Sequence, residues 1–188
     1  MLTELFKTKE RLKILYYVMY QTSFTVSQVS KETGVSKGLV SRYLNYLNTA
    51  GLLNRSGHSY CPDDNAHNAS VDGRAVTRAI KVLLNLNKLN IGSLDTGWAA
   101  GISIFGSWAE GTNTYESDLD VWIMVDPYPS EHELARLQKD IRTMAGVEVN
   151  ILVLTDEKVE RIKRTDLPFY NSLVRTSITL KGESIDRY

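Results

Sequence analysis

The sequence has one cysteine, no long apolar run and no net charge, and each of these shortages excludes something. Since Cys61 is the only cysteine among 188 residues, no internal disulfide can form. The longest uninterrupted apolar run, Ile14 to Tyr20, has seven residues, whereas a bilayer-spanning helix needs about 20. Charges scattered through the first thirteen residues do not resemble a signal peptide. We therefore expect a globular, cytoplasmic protein without a membrane partner.

The formal net charge of zero hides an asymmetry between the two halves of the chain. Residues 1–90 contain 12 Lys and Arg against 6 Asp and Glu, whereas residues 91–188 contain 10 against 16. Between Ile91 and Ala135 there are eight acidic residues and no Lys or Arg. A basic half suits a polyanion such as nucleic acid, and an acidic half suits metal ions or a basic partner. The charge pattern predicts two modules of opposite character.

The first 50 residues carry the pattern of three helices. Apolar residues at spacings of three, four and seven predict an amphipathic helix over residues 3–20. Thr25-Val26-Ser27-Gln28 is a capping box that predicts the start of a short second helix, which we expect to end at Gly34. Ser36 is expected to cap a third helix that ends near Gly51. Two short helices joined by a tight turn containing glycine indicate a helix-turn-helix.

The stretch Thr25–Leu53 closely resembles the winged helix-turn-helix domains of prokaryotic transcription regulators, and Leu53 to Pro62 suits the wing. The resemblance covers roughly residues 3–65. It implies binding to double-stranded DNA, with the recognition helix in the major groove and the wing near a phosphate. The DNA-binding residues that it implies are Ser36, Lys37, Gly38, Ser41 and Arg42 on the helix and Arg55 and His58 in the wing.

Winged helices also serve as protein–protein and dimerisation modules, so a homodimer stays an alternative use of this one. Only Lys37 and Arg42 are charged on the expected reading face. A polar, turn-rich stretch from Pro62 to Ser70 marks a boundary, and Asp72 to Leu89 predicts one helix behind it. We expect a winged helix-turn-helix over 1–65, a connecting helix over 66–90 and a second domain over 91–188.

The second domain contains two carboxylates at strand spacing. The run Ile102–Phe105 predicts a strand that ends at Gly106-Ser107, and Asp118-Leu119-Asp120 leads into the apolar run Val121–Val125. Because strand side chains alternate, Asp118 and Asp120 project from one face. Two adjacent carboxylates repel each other unless a cation lies between them. Mg²⁺ (or Mn²⁺) suits this position, since Mg²⁺ is held by one or two carboxylates together with substrate phosphates.

The segment from Gly106 to Asp120 resembles the signature of the nucleotidyltransferase superfamily that includes DNA polymerase beta, and in particular its minimal, small-protein branch. The resemblance implies an α+β fold, with a small mixed sheet flanked by helices after the winged helix-turn-helix. It implies transfer of a nucleoside monophosphate from a nucleoside triphosphate, with Gly106, Ser107 and Ser117 at the nucleotide. Relatives in the minimal branch are antitoxins that nucleotidylate a partner toxin, so a protein acceptor stands beside a nucleic acid or a small molecule.

This chain departs from the family's pattern at two positions. The family takes a third carboxylate from a later strand, here predicted over Val147–Val153, and the usual register falls on Asn150. Either Glu148, which shares a face with Asn150, substitutes as the third metal ligand and catalytic carboxylate, or the third carboxylate is lost. Asn150 is expected to aid or replace Glu148 at the cofactor, because an amide oxygen can coordinate Mg²⁺. Glu110 stands where many relatives carry a basic residue in the loop. The triphosphate would then need metal or distant cations such as Arg161, Lys163, Arg164 or Arg175.

Two functions from different classes follow from these residues. The leading hypothesis is an enzyme, a magnesium-dependent nucleotidyltransferase whose winged helix brings it to DNA. The alternative is a transcription regulator, or an antitoxin-like regulator, whose nucleotidyltransferase domain is catalytically inactive and senses a nucleotide. Asn150 and Glu110 favour the regulator, whereas the pair Asp118 and Asp120 favours the enzyme.

Overall fold

The computed structural model describes residues 2–62 and 71–187, so most of the polar stretch predicted as a boundary, residues 63–70, lies outside it. The chain divides into two compact units, Met1–Leu84 and Asn85–Tyr188. The α+β class predicted from the sequence is confirmed, with helices before a small sheet and a larger mixed sheet after them. Within the described ranges, every helix is too short or too polar to cross a bilayer.

The first unit combines helices with a small three-stranded antiparallel sheet of order β1-β3-β2. Strands β2 and β3 form the predicted wing hairpin, which turns at Gly57 and His58. The elements are α1 (Leu2–Leu5), α2 (Lys9–Val18), β1 (Phe24–Thr25), α3 (Val26–Thr33), α4 (Lys37–Thr49), β2 (Leu53–Ser56), β3 (Ser59–Pro62) and the first part of α5 (Val71–Lys88).

The single helix predicted over residues 3–20 is wrong, because the chain breaks between α1 and α2. Thr8 adopts an extended conformation at the N-cap of α2, and its side chain accepts a hydrogen bond from the backbone N–H of Arg11. A threonine hydroxyl that caps a helix competes with helical continuation through the same residue. The apolar spacing continues across this break, so periodicity alone joined the two helices.

The helix boundaries predicted around the turn are otherwise close to the structure. The capping box of Thr25 and Gln28 is formed in both directions, and Gly34 ends α3 in the left-handed conformation. Ser36 occupies the N-cap of α4, but its side chain makes no capping hydrogen bond, which corrects the expected contact. Its carbonyl instead accepts from the N–H of Val40 at 3.0 Å.

One continuous core holds the first unit together. The buried stripe of α4 packs with apolar residues of α2, of the small sheet and of the first part of α5. Tyr43 lies in this core, and its hydroxyl donates to the carbonyl of Leu5 at 2.8 Å. Burial raises the pKa of the Tyr43 phenol. The fully buried members of the stripe are Val40, Tyr43, Leu44 and Leu47.

The second unit is a four-stranded sheet of order β6-β5-β4-β7 with helices on both faces. Strands β5 and β6 are parallel, whereas β4 pairs antiparallel with both β5 and β7. After the end of α5, the elements are a 3₁₀ turn (Ile91–Ser93), β4 (Ala99–Phe105), α6 (Gly106–Glu110), β5 (Leu119–Val125), α7 (Glu131–Ala145), β6 (Val149–Leu154), α8 (Asp156–Thr165), α9 (Leu167–Thr176), β7 (Ile178–Gly182) and a 3₁₀ turn (Ile185–Arg187).

Alternation along β5 divides the core of this unit in two. Val121 and Ile123 pack with residues of α6 and α7 on one face of the sheet. Trp122 and Met124 pack with residues of α8 and α9 on the other face. Since side chains alternate, Asp120 shares its face with Trp122 and Met124. The carboxylate therefore lies on the side of the sheet that α8 and α9 cover.

Strand β6 ends the sheet, and two side chains close its outer edge. The amide nitrogen of Gln138 donates to the carbonyl of Val149 at 2.7 Å. The ammonium group of Lys158 donates to the carbonyl of Val153, also at 2.7 Å. Partial burial lowers the pKa of Lys158. Donors from α7 and α8 thus satisfy carbonyls that a further strand would otherwise pair with.

Candidate functional sites

The two aspartates lie where β5 begins. Asp118 directly precedes the strand and is exposed, whereas Asp120 is the second residue of the strand and is half-buried. In the sheet, Asp120 is opposite Phe105 of β4 and opposite Asn150 of β6. The end of one neighbouring strand and the start of the other therefore flank this carboxylate.

Asn150 contacts Asp120 directly. Its amide nitrogen donates to one carboxylate oxygen, Oδ1 of Asp120, at 3.1 Å. The parallel register that sets Asp120 beside Asn150 brings the two polar side chains to the same face. The residue that the family pattern would make a carboxylate is therefore a neutral hydrogen-bond partner of the catalytic candidate.

The other oxygen of Asp120 lies against Gly106. A Cβ atom on Gly106 would be 2.8 Å from Oδ2 of Asp120, closer than such atoms approach. Gly106 also has a φ of +65°, in the left-handed region that favours glycine. Position 106 therefore needs glycine for its backbone conformation and for the room that Asp120 occupies.

Ser107 and Ser117 hold the loop that joins α6 to the aspartates. The carbonyl of Ser107 accepts from the N–H groups of Thr112 and Asn113, at 3.0 and 3.2 Å. The hydroxyl of Ser117 accepts from the N–H of Thr114 at 2.9 Å. Both serines thus have a structural contact in the protein, in addition to the nucleotide contacts expected of them.

Glu148 is not brought to the aspartate pair. It precedes β6, is exposed, and its carboxylate pairs with the guanidinium of Arg142 from the last turn of α7. Its backbone carbonyl accepts from the N–H of Leu119 at 2.9 Å, so the main chain is in register with β5 while the carboxylate pairs with Arg142. Residues 2–62 and 71–187 contain no cluster of three or more His, Cys, Asp or Glu side chains that could hold a metal ion.

Three of the four distant cations expected near a triphosphate lie along α8, and the fourth, Arg175, lies in the last turn of α9. Lys163 pairs with Glu160 at 2.8 Å, and its ammonium group lies 5.2 Å from the ring centre of Tyr170. The hydrogen bond to Glu160 raises the pKa of Lys163. Arg161 and Arg164 line a cavity of about 710 Å³ beside α8.

The first unit contains a polar cavity of about 520 Å³ between α3, α4 and the wing. It brings together three residues predicted to bind DNA: Ser41 of α4, and Arg55 and His58 of the wing. Ser36, Lys37 and Arg42 are exposed at the start and in the second turn of α4. The lining of the polar cavity also includes Asn45 and Tyr60.

The wing arginine is held in a defined orientation. Its Nε donates to the carbonyl of Gly57 at 3.0 Å, and the guanidinium carbon of Arg55 lies 5.5 Å from the ring centre of Tyr60. An arginine that stacks on an aromatic ring and is anchored through Nε keeps its terminal nitrogens for another acceptor. This arrangement is suited to contact with a phosphate.

Asn45 is a candidate that the sequence reasoning missed. It is exposed on α4, four residues after Ser41 and therefore on the same helix face. The hydroxyl of Tyr60 donates to its side-chain oxygen at 3.0 Å, which leaves the amide nitrogen as a hydrogen-bond donor. The spacing of Ser41 and Asn45 was the signal that could have identified it.

Two models of known protein families match separate segments of the chain. Residues 8–55 match the family model described as bacterial regulatory protein, arsR family. Residues 91–173 match the model of the nucleotidyltransferase domain. The comparison with curated proteins finds no match.

Several solved toxin–antitoxin complexes share a weak structural similarity. One complex with AMP-PNP is 16% identical, with a TM-score of 0.36, over 58% of this chain and 74% of the other. A mutant of the MntA–HpeT pair has the same identity and coverage with a TM-score of 0.37. A complex of a tri-AMPylated Shewanella oneidensis HEPN toxin with the MNT antitoxin is 13% identical, with a TM-score of 0.34, over 58% and 76%. Similarity at this level carries no inference about activity.

Proposed function

Since the chain joins an arsR-type helix-turn-helix to a nucleotidyltransferase domain, we propose that it transfers a nucleoside monophosphate from a nucleoside triphosphate to an acceptor hydroxyl and binds double-stranded DNA. The observation that carries the transfer activity is the position of Asp120, between Asn150 and the bend at Gly106. Asp118 is two residues before it, on the same face.

The donor set at this position fits a magnesium ion. Asp118 and Asp120 would supply carboxylate oxygens. The side-chain oxygen of Asn150, whose nitrogen donates to Asp120 in the structure, would supply a neutral ligand in place of a third carboxylate. Mg²⁺ is commonly held by one or two carboxylates with substrate phosphates and water as its other ligands. When bound, the ion would neutralise charge on the transferred phosphate. Mn²⁺ takes oxygen ligands of the same kind.

The chain's own residues would position the substrates. Glycine at 106 leaves the room that the carboxylate of Asp120 occupies, and Ser107, next to it, would contact a phosphate beside that carboxylate. The acceptor oxygen forms a bond to the α-phosphorus, and the bond from that phosphorus to pyrophosphate breaks. The hydroxyl proton passes to water, because the amide of Asn150 cannot accept it and Glu148 pairs with Arg142. We therefore expect slow transfer, with Asn150 rather than Glu148 as the third ligand.

The same observations favour a second candidate, a regulator whose nucleotidyltransferase domain binds a nucleotide without transferring it. The hydrogen bond from Asn150 occupies Asp120, and the ion pair with Arg142 keeps Glu148 from the expected third position. A domain of this kind would change the DNA affinity of the winged helix when the nucleotide is present.

For the acceptor we propose a protein hydroxyl, as the resemblance to antitoxins of the minimal branch implies. The winged helix is proposed to contact DNA through α4 and through Arg55 and His58 in the wing, with Asn45 added to the residues that face a base edge. Regulation of the chain's own gene and formation of a homodimer are further consequences of a DNA-binding domain of this type.

Labelled nucleotides separate the two candidates. The purified chain is incubated with α-labelled nucleoside triphosphates, Mg²⁺ or Mn²⁺ and host lysate, and labelled protein is measured. We expect Asp118→Ala and Asp120→Ala to abolish transfer. The control Asp140→Ala, at a partly exposed aspartate of α7 in the same unit, should preserve it. Nucleotide binding without transfer supports the regulator. Transfer that survives both Asp118→Ala and Asp120→Ala contradicts the proposed site.

A further inference from the structure

Two buried asparagines form a reciprocal pair at the base of the loop that carries the aspartates. Asn85 and Asn113 are fully buried. The amide nitrogen of Asn85 donates to the side-chain oxygen of Asn113 at 3.0 Å, and the amide nitrogen of Asn113 donates back at 3.3 Å. The two residues are 28 positions apart and belong to the same compact unit.

The pair also holds α6. The amide nitrogen of Asn85 donates a second hydrogen bond, of 2.8 Å, to the carbonyl of Trp108 in α6. The backbone N–H of Asn113 donates to the carbonyl of Ser107, also in α6. One side chain of α5 therefore connects the helix after the Gly106 bend to the loop that follows it.

The connection reaches the residue next to Asp118. The indole nitrogen of Trp108 donates to the carbonyl of Ser117 at 3.3 Å. Ser117 immediately precedes Asp118, so the hydrogen bonds run from Asn85 through Trp108 to the residue before the first carboxylate. The Lys88 ammonium group, one turn after Asn85 on α5, lies 5.5 Å from the ring centre of Trp108.

Filling the interior with amide side chains costs more free energy than filling it with apolar ones. An amide removed from water costs free energy unless its hydrogen bonds are replaced, and apolar side chains of similar size would fill the same volume without that requirement. A fully satisfied polar pair in the interior instead selects one arrangement of the segments that it joins. Here those segments are α5, α6 and the loop of residues 111–117.

We propose that Asn85 and Asn113 are positioning residues, which fix the Gly106–Ser107 bend relative to Asp118 and Asp120. The inference rests on the proposed nucleotidyltransferase function, because it assigns to the pair the geometry of that same site. Neither asparagine contacts substrate; each acts through Trp108, Ser107 and Ser117. Partners that orient metal ligands from outside the site typically affect metal affinity or activity by about 10- to 100-fold.

The test compares two ways of removing the pair. Asn85→Ala and Asn113→Ala each leave a buried partner without its hydrogen bonds and are expected to lower Tm. The double variant Asn85→Leu, Asn113→Leu removes both amides and fills the space, so we expect Tm to recover in part, the remaining loss coming from the carbonyl of Trp108, which no longer has its donor. Asn171→Ala, at an exposed asparagine of α9 in the same unit, is the control. Each variant is assayed below its Tm for transfer rate and for the Mg²⁺ concentration that gives half-maximal rate.

A positioning role predicts that the double leucine variant, assayed while fully folded, regains part of the lost Tm and still transfers label about 10- to 100-fold more slowly, with a higher half-saturating Mg²⁺. The control keeps wild-type values for all three quantities. A wild-type transfer rate in the folded double variant would mean that the pair is structural only, which overturns the inference.

Binding of nucleotide separates this inference from the proposed function. If the wild-type chain transfers no label, the proposed function fails, and the affinity for Mn²⁺ with ATP is measured by calorimetry on the same variants. Weaker binding in the double leucine variant, measured well below its Tm, then supports the positioning role. Equal affinity in that variant and the wild type overturns it, and no binding by the wild type overturns both proposals.

Discussion

The amide nitrogen of Asn150 donates to a carboxylate oxygen of Asp120 at 3.1 Å, across neighbouring parallel strands. The relationship gives the site two carboxylates and a neutral amide, whereas the family pattern has three carboxylates. The uncharged partner reduces the repulsion around Asp120 when no cation is present. It also lowers the negative charge available to a metal, so the substrate's phosphates must contribute more of the coordination.

Replacing the amide by a carboxylate is expected to tighten metal binding. Asn150→Asp adds a negative ligand beside Asp120, and we expect the half-saturating Mg²⁺ concentration for transfer to fall about tenfold, equivalent to ~1.4 kcal/mol. Without Mg²⁺ the same variant should have a lower Tm, because two carboxylates face each other. Titration of activity against Mg²⁺ and thermal unfolding with and without the ion measure these effects. The comparison variant Asn150→Ala should show no tightening; an unchanged Mg²⁺ requirement in Asn150→Asp would exclude Asn150 from the metal site.

Gly106→Ala tests the contact between the bend and Asp120. An added Cβ would lie 2.8 Å from Oδ2 of Asp120, so the carboxylate must move. The left-handed backbone adds a strain of about 1–2 kcal/mol. We expect transfer to fall by about 100-fold, as displacement of a reacting group by an ångström does.

Gly146 supplies the matched control for that substitution. It has a φ of +73° at the end of α7, and a Cβ there meets no atom within 4 Å. Gly146→Ala should therefore lower Tm by a similar amount and leave transfer by the folded protein unchanged. Equal loss of transfer in both variants would attribute the effect of Gly106→Ala to backbone strain alone.

The salt dependence of DNA binding should change when the wing arginine, Arg55, is removed. Arg55→Ala removes one cation held by Gly57 and Tyr60, and we expect weaker binding to every duplex tested. The slope of log K against log salt should decrease in magnitude by about 1. Fluorescence anisotropy with a labelled duplex between low and physiological salt gives the slope. Arg136→Ala, at an exposed arginine of the second unit, should keep it. If Arg55→Ala keeps the wild-type slope of log K against log salt, the wing arginine does not contact the DNA.

The pH dependence of Tm should reveal the contribution of the ion pair between Glu4 of α1 and Arg11 of α2. The hydrogen bond from Arg11 is the main cause that lowers the pKa of Glu4 from 4.5, with a second contribution from Lys7. A lowered pKa in the folded state stabilises the fold above the unfolded value, and this contribution is lost as the pH falls through the folded value. Glu4→Gln should therefore lower Tm slightly at pH 7. The difference in Tm between the wild type and this variant should become smaller below about pH 4.5. Exposed Glu32 gives the control Glu32→Gln; a difference that stays constant with pH would contradict the assignment.

Local signals in the sequence predicted the elements that local interactions define. The capping box of Thr25 and Gln28 involves residues three apart, and the alternation of Asp118 and Asp120 depends only on strand geometry. The break before α2 was missed because the apolar spacing runs through Thr8, and a single capping hydroxyl decides it.

Contacts between distant segments were beyond the reach of pattern reasoning. The position of Glu148 depends on Arg142 at the end of the preceding helix, and the strand register alone made it a candidate ligand. The pairing of Asn85 with Asn113 joins residues 28 positions apart that share no periodic pattern. The packing of α5 against α6 determines it, and no local propensity records that packing.

The closed edge of β6 has a consequence for how the protein behaves at high concentration. Gln138 and Lys158 already occupy the carbonyls of Val149 and Val153, so a foreign strand would have to displace an amide and an ammonium group before it could add to the sheet. Lateral growth into fibrils is thereby opposed along this side of the molecule.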